Sequence, residues 1–170
     1  GNYTGYDEPR WYGAGAAIFC SALRDIDAVM GDDEKLIGRM IAACRDLDPK
    51  LTALVGSPAP MVVGSDMKGI ATELEARTGL PGFGFDTTGT AYYDRGVSAA
   101  LIALLERFAE PSPSVPNTVG IVGATPLDFA DGADIRNLQD ALQERGVEVT
   151  ATLAMGYDLE ALRRAAAARV

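Results

Sequence analysis

The sequence predicts an α/β protein: a Rossmann-like three-layer domain on a parallel sheet, followed by the start of a second, truncated Rossmann-like unit. Three observations predict it. Residues 51–55, LTALV, form an unbroken apolar run, the pattern of a parallel strand covered on both faces. Residues 55–94 then read strand, turn, helix, strand, turn, with both turns on the same side. Beyond them EPSPSVPN, with its prolines, precedes a restart of the strand and helix alternation.

The chain begins polar and aromatic (Tyr3, Tyr6, Trp11, Tyr12) and turns small in GAGAAIFC. Regular patterning starts with a short apolar strand at 27–30. In GDDEKLIGRMIAACRDL a helix follows, its first turn carrying carboxylates against the positive end of the dipole, with Leu36, Ile37, Met40, Ile41 and Cys44 on one face. Cys44 is therefore read as a small apolar core residue. Pro49 ends that helix and the strand at 51–55 follows. Ser65 is expected to cap a helix running to Thr78, where Gly79 supplies a left-handed stop and Pro81 blocks continuation. GFGF at 82–85 is the next strand. A long helix at 90–110 has Val97, Leu101, Leu104, Leu105 and Phe108 as its apolar stripe.

The proline-rich stretch at 111–117 reads as a stiff, extended linker between a domain at 1–110 and a partial unit at 118–170. That unit reads as a strand at Thr118–Val122, a polar loop, a helix at 135–145 stopped by Gly146, a strand at 147–153 and a helix at 158–169. Two strands fall short of a complete sheet, so the unit reads as truncated and its open edge as a surface for pairing. Gly1 leads with no initiator Met, which suggests either an added leading residue or a fragment cut from a longer protein.

A length of 170 residues and an apolar share of 48% allow a buried core. No apolar run approaches a membrane span and the N-terminus has no leader pattern, which points to the cytoplasm and to no membrane partner. The net charge of −9 is shared by both sides of the linker and argues against nucleic acid or an anionic membrane. The chain contains no histidine, which excludes imidazole acid–base chemistry and imidazole metal ligation. Its two cysteines, Cys20 and Cys44, lack the spacing of a zinc site.

An α/β sheet gathers its ligands outside the carboxyl ends of its strands, so the turns at 56–66 and 86–89 are expected to face one crevice. The candidate ligand-binding residues are Ser57, Pro58, Gly64, Ser65 and Asp66 from the first turn and Asp86, Thr87, Thr88 and Gly89 from the second. Hydroxyls and backbone N–H groups there suit an oxyanion or phosphate, and the same residues also make a plain turn. Tyr92 and Tyr93 either line that crevice or pack. No catalytic residue is identified, since neither Ser57 nor Ser65 sits in a G-x-S-x-G elbow. The glycine fingerprints fail literally: GIVGAT at Gly120 is not G-x-G-x-x-G, GFGFDT at Gly82 has Thr87 where the third glycine belongs, and GAGAAI at Gly13 fails likewise. Cys20 is the one candidate metal ligand, a thiolate offered to a cluster.

Several stretches together resemble component 1 of the nitrogenase-type oxidoreductases: ALRDIDAVMGDDEKLI, then LVGSPAPMVVGSDMKGIATELEARTGLP, then FDTTG, and last TVGIVGATPLDF with VEVTATLAMG. The resemblance implies Rossmann-like domains that hold an iron–sulfur cluster between domains and subunits, with a second metal or a tetrapyrrole in some members. It implies electrons from a separate ATP-dependent iron–sulfur reductase, a small substrate that is hard to reduce, and pairing with a second copy or a sister subunit. Two departures matter. Pro58 stands in the turn where cluster-binding members carry a cysteine, and the segment matching the family's earlier cluster cysteines lies before Gly1. No cofactor is therefore expected in these residues alone, the iron–sulfur cluster belonging to the full-length parent, and the piece itself is expected to be inactive. Two other readings stand beside this one. They are a non-redox ligand-binding or scaffold homologue that has lost the cluster, and a nucleotide-dependent enzyme with an atypical glycine loop.

Overall fold

A computed structural model describes residues 17–19, 33–125, 128–129, 132–153 and 158–168. Cys20, Trp11 and the strand expected at 27–30 lie outside the described residues. Packing divides the chain into two compact units, one reaching Gly96 and one starting at Val97. The division falls ahead of the proline-rich stretch read from sequence as the linker.

The first unit opens with α1 (Asp33–Leu47), whose first turn keeps Asp33 and Glu34 at the positive end of the dipole. Its apolar face is the one expected: Ile37 is buried, and Leu36, Met40 and Ile41 pack around it. β1 (Thr52–Val55) follows, then a short helix α2 (Pro58–Val62), α3 (Met67–Thr78) and β2 (Gly82–Phe85). β1 and β2 pair in parallel, Thr52 opposite Gly82 and Val55 opposite Phe85, with α3 in the crossover. Leu54, Met67, Ile70, Ala71 and the fully buried Leu74 join Ile37 in one core.

Two glycines of β2 let α3 lie directly on the strand. A Cβ on Gly84 would stand 2.2 Å from the Met67 carbonyl oxygen, and one on Gly82 would stand 2.5 Å from that of Ala71. The glycines of GFGF are therefore consumed by backbone-to-backbone packing. They are not part of a phosphate loop. α3 ends as expected, with Gly79 at φ 73° donating to the Glu75 carbonyl.

Two expectations need correction. The turn at 56–66 contains α2, because Pro58 presets the dihedral of a first helical turn and loses no bond there. β1 is not covered on both faces among the described residues: Thr52 and Leu54 are buried toward α3, whereas Val55 is 68% exposed.

The second unit takes α4 (Tyr93–Phe108) from Val97 onward, then β3 (Thr118–Val122), α5 (Gly132–Gln143), β4 (Glu148–Leu153), α6 (Leu159–Arg164) and a 3₁₀ turn at Ala165–Ala167. β3 and β4 are parallel, with a register shift at Val119/Gly120. The stripe predicted on the long helix finds its core here: Leu101 is buried with Ala151, Leu153, Ala161 and Leu162, and Val97, Leu104, Leu105 and Phe108 pack against them. The proline-rich stretch is fastened to this unit. Glu110 N–H donates to the Arg163 carbonyl at 3.1 Å and Val115 N–H to that of Ala167 at 3.0 Å. Each unit is thus a parallel strand, helix, strand motif with further helices packed on it, the α/β class expected. No described helix is long and apolar enough to cross a membrane.

Candidate functional site

Parallel pairing of adjacent strands puts both carboxyl ends at one edge, and the loops that leave them meet there. Gly56 N–H donates to the Phe85 carbonyl at 2.8 Å, continuing the ladder past Val55. The Thr87 hydroxyl donates back to the Gly56 carbonyl, and Thr87 N–H to that of Phe85 at 3.0 Å. Gly56 is buried at this junction, where a Cβ would meet Met61 Cε at 3.0 Å, the Phe85 oxygen at 3.1 Å and Thr87 N at 3.2 Å. Gly89, at φ 75°, lies over the Pro58 ring, and a Cβ there would approach Pro58 Cγ to 3.0 Å. The expected convergence of the turns at 56–66 and 86–89 is therefore present in this geometry.

The N-terminus of α3 opens into the same place and is already occupied by the chain's own carboxylates. Asp66 is the cap, its Oδ1 accepting from Gly69 N–H at 2.9 Å. Asp86 Oδ1 reaches across from the second turn and accepts from Met67 N–H at 3.2 Å. Ser65, expected as the cap, instead donates its backbone N–H to the Pro60 carbonyl at 3.0 Å. The physical reason is one of position. Asp66 takes the extended dihedrals of an N-cap (φ −98°, ψ 90°), and its carboxylate adds a favourable dipole interaction that a serine hydroxyl lacks.

This changes what the site can hold. The N–H groups of Met67 and Gly69 that would cradle an oxyanion are spent, and two exposed carboxylates stand where a phosphate would sit. The free oxygens of Asp66 and Asp86 make this edge an acceptor of hydrogen bonds. Around it Ser57 begins α2 with no side-chain cap bond, Gly64 turns at φ 80°, and Thr88 and Thr90 share a hydroxyl contact at 2.7 Å.

Sequence reasoning missed two exposed valines in the first turn. Val62 is 86% exposed at the end of α2 and Val63 is exposed after it. The signal was available as two adjacent β-branched residues before a glycine, inside a stretch read only as a turn. Tyr92 and Tyr93, left between lining and packing, are both exposed.

An iron–sulfur cluster does not fit the described residues. Pro58 offers no donor atom in the turn, and no group of three or more Cys, Asp or Glu converges among the described residues. Burial pushes the half-buried Cys44 thiol above its ordinary range, away from the thiolate that ligates metal. Cys20, the ligand expected from sequence, lies outside the described residues.

Two parallel strand, helix, strand units, the first with its loops meeting at the carboxyl edge, define a Rossmann-like α/β protein. The chain belongs to the nitrogenase component 1 type oxidoreductase family, whose profile matches residues 4–170. Its fold resembles solved structures of nitrogenase Cp1. Against the structure at pH 6.5 the TM-score is 0.67 with 17% identity, covering 88% of this chain and 29% of the other. Against that at pH 5 it is 0.70 with 18% identity, covering 89% and 31%. The chain thus spans about a third of the length of those nitrogenase chains. No curated protein matches the sequence.

Proposed function

We propose that this chain is part of a nitrogenase component 1-like oxidoreductase, a whole protein that accepts electrons from an ATP-dependent iron–sulfur reductase and reduces a small substrate. The observation that carries the reading is the family match across residues 4–170, joined to a fold shared with nitrogenase Cp1. In this reading the first unit supplies one wall of a crevice, with Ser57, Pro58, Gly64, Ser65, Asp66, Asp86, Thr87, Thr88 and Gly89 as its lining. Asp66 and Asp86 act on the substrate side as hydrogen-bond acceptors, while Pro58 under Gly89 holds the two turns together. Redox chemistry comes from iron–sulfur ligands elsewhere in the whole protein, which works in the cytoplasm with a second copy or a sister subunit.

Iron and acid-labile sulfide measured on the anaerobically purified whole protein test this. The reading expects stoichiometric iron and sulfide in the whole protein and none in the 170-residue chain reconstituted alone. A whole protein free of iron overturns it.

A further inference from the structure

The family implies an iron–sulfur cluster, and the carboxyl edge of the first unit brings no thiolate to one. Such a cluster takes about four thiolate ligands, and neither turn, at 56–66 or at 86–89, contains a cysteine. The carboxylates of this edge are engaged on the backbone. Asp66 Oδ1 accepts from Gly69 N–H at 2.9 Å and Asp86 Oδ1 from Met67 N–H at 3.2 Å.

The chain fastens the edge by itself. Loops far apart in sequence are often held together by a metal, whose binding then supplies part of the folding energy. Here every link is a hydrogen bond or a packing contact. Gly56 N–H donates to the Phe85 carbonyl at 2.8 Å, the Thr87 hydroxyl donates to the Gly56 carbonyl, and Asp86 reaches Met67 N–H. The last link is Gly89 on the Pro58 ring. Gly89 is at φ 75° and a Cβ there would stand 3.0 Å from Pro58 Cγ, so both its backbone angle and its close approach call for glycine. Pro58 is suited to its side of the contact, because at the start of α2 it loses no helical bond and its ring is fixed to the backbone. Below them Met61 Cε lies 3.0 Å from where a Gly56 Cβ would stand, which closes the junction.

We propose that this edge is a metal-independent clasp, closed by Pro58 against Gly89 and by Thr87 on Gly56, and that the cluster of the whole protein takes no ligand from it. The statement about the cluster rests on the function proposed above. The clasp rests on its own geometry.

Amide exchange on the whole protein, as purified and after anaerobic removal of iron with a chelator, tests this. The reporters are the amides of Gly56, Met67 and Thr87, each read against Gly79 N–H at the far end of α3, which registers general loosening. Removing iron should leave their rates relative to Gly79 unchanged; a rise of about tenfold or more shows a clasp held by the cluster and overturns the proposal. Pro58→Ala should keep the iron and sulfide content of the wild type and speed the three amides severalfold relative to Gly79. Iron lost in Pro58→Ala overturns the proposal, and so do relative rates that do not change in that variant. A whole protein found to contain no iron sinks the function proposed above instead, and the exchange of Pro58→Ala still decides the clasp.

Discussion

Replacing Gly84 with alanine probes the contact on which the crevice is built. The added methyl would lie 2.2 Å from the Met67 carbonyl oxygen, 2.4 Å from its carbon and 2.6 Å from Lys68 Cα. These are backbone atoms of the first turn of α3, with no rotamer to yield. Ordinary carbon contacts are about 3.5–4.0 Å, so the helix must lift by roughly 1 Å or more at this end. Lifting it withdraws Met67 and Ile70 from the core and pulls Met67 N–H off Asp86. Overpacking with backbone shift costs about 1–3 kcal/mol, and the lost burial puts Gly84→Ala at the upper end or beyond. For a chain of this size that is a fall in Tm of roughly 6–12 °C. Gly38 is the internal control, because it lies inside α1 with nothing within 4 Å of its added Cβ. Gly38→Ala should stabilise by about 0.5–1 kcal/mol through helix propensity alone. Urea and thermal melts of the two variants give the comparison. Gly84→Ala melting within 2 °C of wild type (a shift of less than about 1 kcal/mol) would refute the close packing of α3 on β2.

Thr52 is buried and its hydroxyl has no partner among the described residues, so Thr52→Val should stabilise by about 1 kcal/mol, read as a higher urea midpoint; a loss of similar size would reveal a bond to that hydroxyl. Asp66→Ala should cost about 1 kcal/mol through the lost cap. Removing both charges in Asp66→Asn/Asp86→Asn should make phosphate raise Tm more than it does for wild type, and equal responses would contradict the filled helix terminus. Cys44 should react with iodoacetamide only at higher pH than an exposed cysteine, since burial raises its pKa. Its unfolded thiol ionises first, so stability should fall as pH rises past the unfolded pKa, and Cys44→Ala should lose that part of the decline.

The elements were legible wherever a local signal sufficed. The face of α1 followed from Leu36, Ile37, Met40 and Ile41, and the stop of α3 from Gly79 before Pro81. The meeting of the two turns was legible because parallel strands joined by a helix end at one edge. What escaped depended on contacts distant in sequence. The stripe on α4 was visible, yet nothing in its spacing says that Leu101 packs with Leu153 and Leu162. The choice of Asp66 over Ser65 as cap was a matter of one residue in dihedral angle, finer than any pattern resolves. That Asp86, nineteen residues further on, also serves Met67 was invisible until the strands were paired. The glycines of GFGF looked like a damaged nucleotide fingerprint, and only the approach of Met67 and Ala71 gives them their purpose.

The central claim is that this chain belongs to a protein that takes electrons from an ATP-dependent iron–sulfur reductase. It is tested most directly by following the oxidation of such a reductase, reduced beforehand, after mixing with the anaerobic whole protein. The account predicts oxidation that requires both ATP and the whole protein, and none with the 170-residue chain in its place. A reductase that stays reduced in the presence of ATP and the whole protein would contradict it.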